Sequence, residues 1–81
     1  MQTEQNDRQP YESQNGNSGV SFYALGPSYI SVWFHNGRGY VYDGRRPGKL
    51  HVDEMKRLAE EGRGLTTYIN HHVRKNYARE L

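Results

Sequence analysis

The stretch YISVWFHNGRGYVYD, residues 29–43, decides the fold of this chain. Its first half is rich in β-branched and aromatic residues, which is typical of a strand. Asn36-Gly37 follows at once and predicts a tight hairpin turn, because both central residues of a type I′ turn need a positive φ. Residues 38–43 then form the returning strand.

The register of this hairpin decides which way its aromatic side chains point. A two-residue loop at Asn36-Gly37 puts residues 30, 32, 34 and 41 on a core face. The other face then carries Trp33, His35, Arg38, Tyr40 and Tyr42. Aromatic rings interleaved with basic groups on an open sheet face offer stacking surfaces for unpaired bases and cations for phosphates.

A three-residue loop over residues 36–38 is the alternative. Phe34 then opposes Tyr40, Val32 opposes Tyr42, and both tyrosines join the core. A one-residue slip has this effect because it moves every side chain of a strand to the other face. The sequence leaves both registers open.

The elements on either side of the hairpin complete an α+β pattern. Residues 20–25 form a strand closed by Gly26-Pro27, and its exposed edge allows dimerisation by strand addition, so a monomer or weak dimer is expected. Apolar positions 52, 55, 58 and 59 predict a helix over residues 51–61, with Gly62 as its stop. Helical spacing from Leu65 to Tyr77 predicts a second helix. The expected fold is a small three-stranded antiparallel sheet followed by two helices packed on one face (β-β-β-α-α).

Residues 1–19 differ in composition from the rest of the chain. They are dominated by Gln, Asn, Gly and Ser, with Tyr11 as their single aromatic residue. Such a segment buries too little apolar surface to offset the entropy of ordering, so we predict a disordered polar tail over 1–19 and one domain over 20–81. A short motif around Pro10-Tyr11 that docks on a partner is the alternative.

Charge and composition bound the function classes. Three acidic residues against one arginine give residues 1–19 a charge of −2, whereas ten Lys/Arg against six Asp/Glu give residues 20–81 a charge of +4. The basic domain permits a polyanionic partner. There is no cysteine for a disulfide or a thiolate metal site. No apolar run approaches the roughly 20 residues of a membrane span, and the first residues do not resemble a secretory signal, so a cytoplasmic location with no membrane partner is expected.

Two further basic segments stand out. Thr67, His71, Arg74, Lys75 and Arg79 fall opposite the apolar stripe of the predicted second helix, and such a face can contact phosphates or be plainly solvated. The loop of residues 44–49 carries Arg45, Arg46 and Lys49. It lacks the length and the Ser/Thr of a P-loop.

Chemistry beyond binding has little support in the sequence. His71 and His72 project about 100° apart on a helix, and neither has a second ligand four residues away, so no metal or other cofactor is expected. No Ser and His have a sequence spacing that indicates a nucleophile and its base. The acidic pairs on the first predicted helix have the pattern of exposed charges. We therefore expect no enzymatic activity.

The stretch from Ile30 to Tyr77 resembles a known family. The matching residues are Val32 and Phe34 before Gly37, Tyr40-Val41-Tyr42 as a Tyr-x-Tyr element, Met55–Ala59 followed by Gly62, and then Tyr68-Ile69-Asn70 and Arg74 to Tyr77. In these it resembles the KTSC domain, a small module named for the C-terminal end of some lysyl-tRNA synthetases and also found as free-standing bacterial and phage-type proteins. The resemblance implies a small α+β domain proposed to bind RNA, and it implies no reaction.

Two function classes follow from these patterns. The first is a small non-catalytic module that binds RNA or single-stranded nucleic acid. Trp33, Tyr40 and Tyr42 would stack on bases, and the phosphate contacts would come from Arg38, Arg45, Arg46, Lys49, Arg74 and Lys75. The second is a protein-protein interaction module, a phage-type or host accessory factor that docks on a larger complex. It would use the aromatic sheet face or the edge strand, and the acidic tail would add a second contact.

Overall fold

A computed structural model describes residues 8–12 and 19–81 of the protein. They form one antiparallel sheet with the strand order β1-β2-β3-β4-β5. The strands are β1 Gln9–Pro10, β2 Val20–Leu25, β3 Tyr29–Phe34, β4 Gly39–Asp43 and β5 Arg79–Glu80. Helix α1 spans Lys49–Glu61, and helix α2, Leu65–Tyr68, runs on into a π-helical turn at Ile69–Val73. The α+β class is confirmed, but the sheet has five strands instead of three.

The two additional strands close the edges of the predicted three-stranded sheet. Each is two residues long, too short to show the alternating pattern by which strands are recognised in a sequence. They form because β2 and β4 otherwise present a row of backbone groups without partners. The edge of β2, predicted to be exposed, is covered by β1 at its Tyr23 and Phe22 positions.

Residues 8–12 therefore differ from the disordered tail that was predicted for residues 1–19. Tyr11 is only 7% exposed and belongs to the core. Its ring lies edge-on to Tyr23, with centroids 6.4 Å apart, and its hydroxyl accepts a hydrogen bond from the Leu65 amide at 3.2 Å. The buried Tyr11 ring and the backbone pairing of β1 with β2 thus hold in place a segment whose average composition is polar. Residues 1–7 and 13–18, to which the same prediction applied, lie outside the described residues.

The hairpin between β3 and β4 has a three-residue loop. The Phe34 amide donates to the Arg38 carbonyl at 2.8 Å, and the Gly37 amide donates to the Phe34 carbonyl at 2.9 Å. Gly37 has a φ of 91°, which glycine adopts at no steric cost. The loop is therefore residues 35–37, one residue earlier than the three-residue alternative placed it.

This register turns both hairpin tyrosines towards the core. Tyr40 opposes Val32 and Tyr42 opposes Ile30, so they share the face on which the helices pack. The face assignment of the three-residue alternative is correct, and that of the two-residue loop is wrong. Trp33 lies on the opposite face, where it pairs with Gly39 and Phe22.

The end of α1 agrees with the sequence prediction, whereas the end of the second helical run does not. Gly62, with a φ of 77°, ends α1 and donates its amide to the Leu58 carbonyl, as expected of the stop residue. The second helical run ends at Val73 instead of Tyr77. Beyond it the chain turns back to the edge of β4, where the Ala78 amide donates to the Val41 carbonyl at 2.7 Å. No helix of the described residues is long and apolar enough to cross a membrane.

Candidate nucleic-acid interface

A cleft of about 440 Å³ opens between the end of the second helical run and the β4–β5 edge of the sheet. Its walls include three aromatic residues, Phe34, Tyr40 and Tyr77, and three basic residues, Arg38, Arg74 and Lys75. Its volume lies within the range of about 300–1,000 Å³ typical of small-ligand pockets. Among the predicted phosphate-binding residues, three of six therefore lie together.

The aromatic wall of the cleft is a chain of ring contacts. The Tyr40 and Tyr77 rings are 4.6 Å apart at an interplanar angle of 33°, and Phe34 meets Tyr40 edge-on at 5.9 Å. All three side chains are half-buried, so each packs on the domain while part of it borders the cleft. Rings fixed in this way can stack on a planar ligand with little loss of side-chain entropy.

Tyr42 forms the floor of the cleft and is not a stacking residue. It is 1% exposed, and its hydroxyl donates to the Arg74 carbonyl at 3.3 Å. Burial raises the pKa of Tyr42 to about 12. The prediction that Tyr42 stacks on a base is therefore wrong, because the hairpin register turns its ring into the core.

The basic residues of the cleft come from two elements. Arg38 follows the hairpin loop, and Arg74 and Lys75 follow the π-helical turn. All three are exposed, and none takes part in an ion pair within the described residues. Their charge is opposed at this edge by Glu80, which accepts a hydrogen bond from the Tyr77 hydroxyl at 2.8 Å.

Arg74 owes its position to an unusual backbone conformation. Its φ of 35° makes it the one non-glycine residue with a positive φ among the described residues. Its amide donates to the Ile69 carbonyl at 2.6 Å, which closes the π-helical turn. π-Helical turns and strained backbone occur preferentially at functional sites, so the conformation adds weight to the cleft as the site.

The other predicted phosphate-binding residues lie outside the lining of this cleft. Asp43 orders the loop that carries them, since its carboxylate accepts the backbone amides of Arg45 and Arg46. The Arg46 side chain is directed to Asn76, with Nε 3.1 Å from Oδ1. Lys49 forms an ion pair with Asp53 at 2.7 Å. The basic loop is thus outside the cleft lining, although Arg46 contacts the residue next to Tyr77.

Trp33 is also separated from the cleft, because it lies on the outer face of the sheet. There the guanidinium carbon of Arg8 lies 4.6 Å from the Phe22 ring centroid and 5.1 Å from that of Trp33. The single predicted platform of Trp33, Tyr40 and Tyr42 is therefore wrong, since its members lie on two faces of the sheet.

The histidines form a ring cluster on the helical side. His72 stacks on Tyr68 with centroids 4.5 Å apart, and His51 Nδ1 lies 2.7 Å from the Tyr68 hydroxyl. The described residues contain no group of three or more His, Asp or Glu side chains that could hold a metal ion.

Sequence reasoning missed Tyr77 and Phe34 as members of the site. Both were assigned to the core from their spacing, and both do pack against it. Their second role depends on the chain leaving the helix at Arg74. The sequence gives no local signal of this departure, because three polar residues between Val73 and Tyr77 also fit the polar face of a continuing helix.

Searches against protein-family models, curated proteins and solved structures found no match for this chain.

Proposed function

We propose that the protein is a non-catalytic module that binds single-stranded nucleic acid, most favourably RNA, in the cleft between β4 and the π-helical turn. The observation that carries the proposal is the meeting of Arg38, Arg74 and Lys75 with the rings of Tyr40 and Tyr77 in one cleft. Cations along a groove and aromatic rings beside it are the two components of sequence-tolerant single-strand binding.

The size of the site sets what it can bind. A cleft of about 440 Å³ has the size of a small-ligand pocket and encloses only a small part of a strand, so the affinity of one domain is expected to be modest. The resemblance to the KTSC domain points to the same ligand and stays a prediction. A cytoplasmic location belongs to the same proposal.

The test is the affinity of a labelled single-stranded RNA of about 12 nucleotides, measured by fluorescence anisotropy at 50 and 200 mM salt. Each phosphate contact to a single strand contributes a slope of about −0.7 in log affinity against log salt. Three contacts predict a slope near −2 and thus a roughly 20-fold weaker affinity at the higher salt. Lys75→Gln and Arg38→Gln are each expected to reduce the slope by about 0.7.

A matched control separates the cleft from general basicity. Lys49→Gln removes an exposed charge of the same sign outside the cleft lining, so it should leave the salt slope unchanged. Tyr40→Leu keeps an apolar side chain at this position but removes the stacking face, which costs about 1–3 kcal/mol of binding free energy in protein that is still folded. Lack of binding at 50 mM salt, or equal effects of Lys49→Gln and Lys75→Gln in folded protein, would contradict the proposal.

A further inference from the structure

The opposite edge of the sheet, at β2, holds an extended segment of the chain itself. We call the surface that holds this segment the seat. Residues 8–12 occupy it antiparallel to β2, with Gln9 opposite Tyr23 and Pro10 opposite Phe22. The Tyr11 amide continues the pairing by donating to the Ser21 carbonyl at 2.9 Å. Addition of a strand to an exposed edge is a common way in which proteins bind peptides, with main-chain bonds giving affinity and side-chain pockets giving specificity.

The first pocket of this seat accepts a tyrosine. The Tyr11 ring is buried edge-on to Tyr23, and its hydroxyl accepts the Leu65 amide. Leu65 is the first residue of α2, so its amide has no acceptor within the helix. A buried donor left without an acceptor is costly, and the pocket therefore selects a side chain that ends in an oxygen.

The second contact of the seat is with a basic side chain on the outer face. Arg8 lies over the rings of Phe22 and Trp33, at centroid distances of 4.6 and 5.1 Å. A guanidinium within about 6 Å of a ring centroid is held by the cation–π attraction. The seat thus recognises a tyrosine and a basic residue three positions before it. The two side chains lie on opposite faces of the added strand.

The chain's own segment leaves part of the seat unused. Beside Gln9 lies a second cleft of about 410 Å³, lined by Tyr23, Glu60, Glu61 and Gly62 at the C-terminal end of α1. Glu61 is paired with Arg57, whereas Glu60 has no ion-pair partner within the described residues. The end of a helix where its last carbonyls point carries partial negative charge, which adds to that of Glu60. Gln9 is neutral and does not compensate this negative charge, whereas a Lys or Arg at the same position would.

We propose that the β2 edge is a binding site for an extended peptide of another protein, with a tyrosine in the Tyr11 pocket and basic residues two and three positions before it. Residues 8–12 occupy this site in cis and compete with that peptide. This site lies at the edge opposite the nucleic-acid cleft and does not depend on it. It gives the protein-interaction class a defined surface.

A second copy of the chain is a weaker occupant than such a peptide. Its residues 8–12 would repeat the contacts of the cis segment and add none. The cis segment acts at an effective concentration in the millimolar range, as expected for a short connection, which here is residues 13–18. A peptide with a basic residue at the Gln9 position gains the contact with Glu60, which favours it over a second copy and offsets part of this competition.

The test uses the full chain with residues 13–18 replaced by a specific protease recognition sequence, folded before it is cut. A labelled synthetic peptide copying residues 7–13 is the probe, and its binding is measured by anisotropy before and after cleavage and removal of the cut segment. Cleavage should strengthen binding of the probe at least tenfold, because the competitor is no longer tethered. A Tyr11→Phe probe should bind roughly fivefold more weakly, and a Tyr11→Ala probe should not bind.

Charge supplies a second, independent measurement. A Gln9→Lys probe should bind about threefold more tightly than the parent probe, and Glu60→Gln in the domain should abolish that gain without affecting the parent probe. If near-UV circular dichroism shows that the cut domain unfolds, the isotope-labelled uncut chain is titrated with the unlabelled Gln9→Lys probe while the Tyr11 amide resonance of the chain is followed. Displacement of the cis segment breaks the bond of this amide to the Ser21 carbonyl and shifts the resonance, and an unchanged resonance at millimolar probe counts as absence of binding.

Three outcomes would overturn the proposal. The first is a folded, cut domain that does not bind the probe at millimolar concentration. The second is equal binding of the parent and Tyr11→Ala probes. The third is a dimer of the uncut chain, seen by light scattering, that Tyr11→Ala dissociates, which would assign the seat to a second copy.

Discussion

Arg74 has a strained backbone conformation and is also a candidate ligand contact. It has a φ of 35° and a ψ of −109°, and its carbonyl accepts the Tyr42 hydroxyl, so the conformation is tied to the core. A residue with a Cβ pays a steric cost of roughly 1–2 kcal/mol at positive φ, and glycine does not. The side chain that would bind phosphate is therefore presented at a cost in folding free energy.

Two substitutions at Arg74 separate these effects. Arg74→Gly and Arg74→Ala both remove the cation, so each should reduce the salt slope of RNA binding by about 0.7. Only glycine relieves the backbone, so Arg74→Gly should be more stable than Arg74→Ala by about 1 kcal/mol in urea unfolding. Equal stability of the two variants would show that the conformation carries no strain.

At the scale of elements, Gly39 determines how the hairpin packs on its outer face. A Cβ at Gly39 would lie 2.7 Å from Cδ1 and Nε1 of Trp33, and 3.2 Å from a methyl group of Leu81. The indole therefore occupies the space that a side chain at Gly39 would need. This close approach fixes Trp33 beside Phe22 and holds the platform on which Arg8 lies.

Gly39→Ala is accordingly expected to destabilise the protein by about 1–3 kcal/mol, because the indole ring must move. Gly44→Ala is the matched control, since no atom lies within 4 Å of a Cβ at that position. Its effect should stay within about 0.5 kcal/mol. The measurements are the urea midpoint and the emission maximum of Trp33, the one tryptophan of the chain. Equal midpoints for the two variants would contradict the packing argument.

The elements also show what the sequence could predict. Strands β2, β3 and β4 and helix α1 follow from local signals: composition, the Asn36-Gly37 turn, helical spacing and the Gly62 stop. The number of residues in the hairpin loop could not be predicted, because loops of two and of three residues both satisfy the local turn chemistry. Strands β1 and β5 have no local signal and arise from edges that exist only once the sheet has formed.

The candidate site was predictable to a similar extent. Arg38, Arg74 and Lys75 were selected from charge alone, and the structure brings them into one cleft. Tyr77 was not, because its position depends on the chain leaving the helix after Val73. Basic residues can be identified from the sequence. Which aromatic rings lie beside them depends on tertiary pairing.

At the scale of the whole molecule, both edges of the sheet are closed by terminal segments that also complete a surface. Residues 8–12 close the β2 edge and fill the peptide seat, and residues 77–81 close the β4 edge and supply a wall of the cleft. An 81-residue chain has a small core, so pairing of residues 9–10 and 79–80 with the two edges contributes both stability and protection from edge-to-edge association.

The dependence of the core on tyrosine makes alkaline pH a test of the whole fold. Burial raises the pKa of Tyr42 to about 12, and burial also raises that of Tyr23 and Tyr68. A tyrosine in the unfolded chain ionises near pH 10. Between these values the folded protein retains protons that the unfolded chain has lost, so the free energy of unfolding falls as the pH rises. The contribution is fully present below pH 10.

We therefore expect the urea midpoint to be steady from pH 7 to about pH 9 and to fall between pH 10 and 12. Tyr42→Phe should flatten this fall, because its ring stays buried and has no proton to lose. At pH 7 the same variant should be less stable by about 1 kcal/mol, since the hydrogen bond to the Arg74 carbonyl is lost. The comparison is therefore between the slopes of the two pH profiles and not between their absolute values. Parallel profiles would mean that Tyr42 ionises as readily in the folded protein as in the unfolded chain, contrary to its burial beneath the cleft.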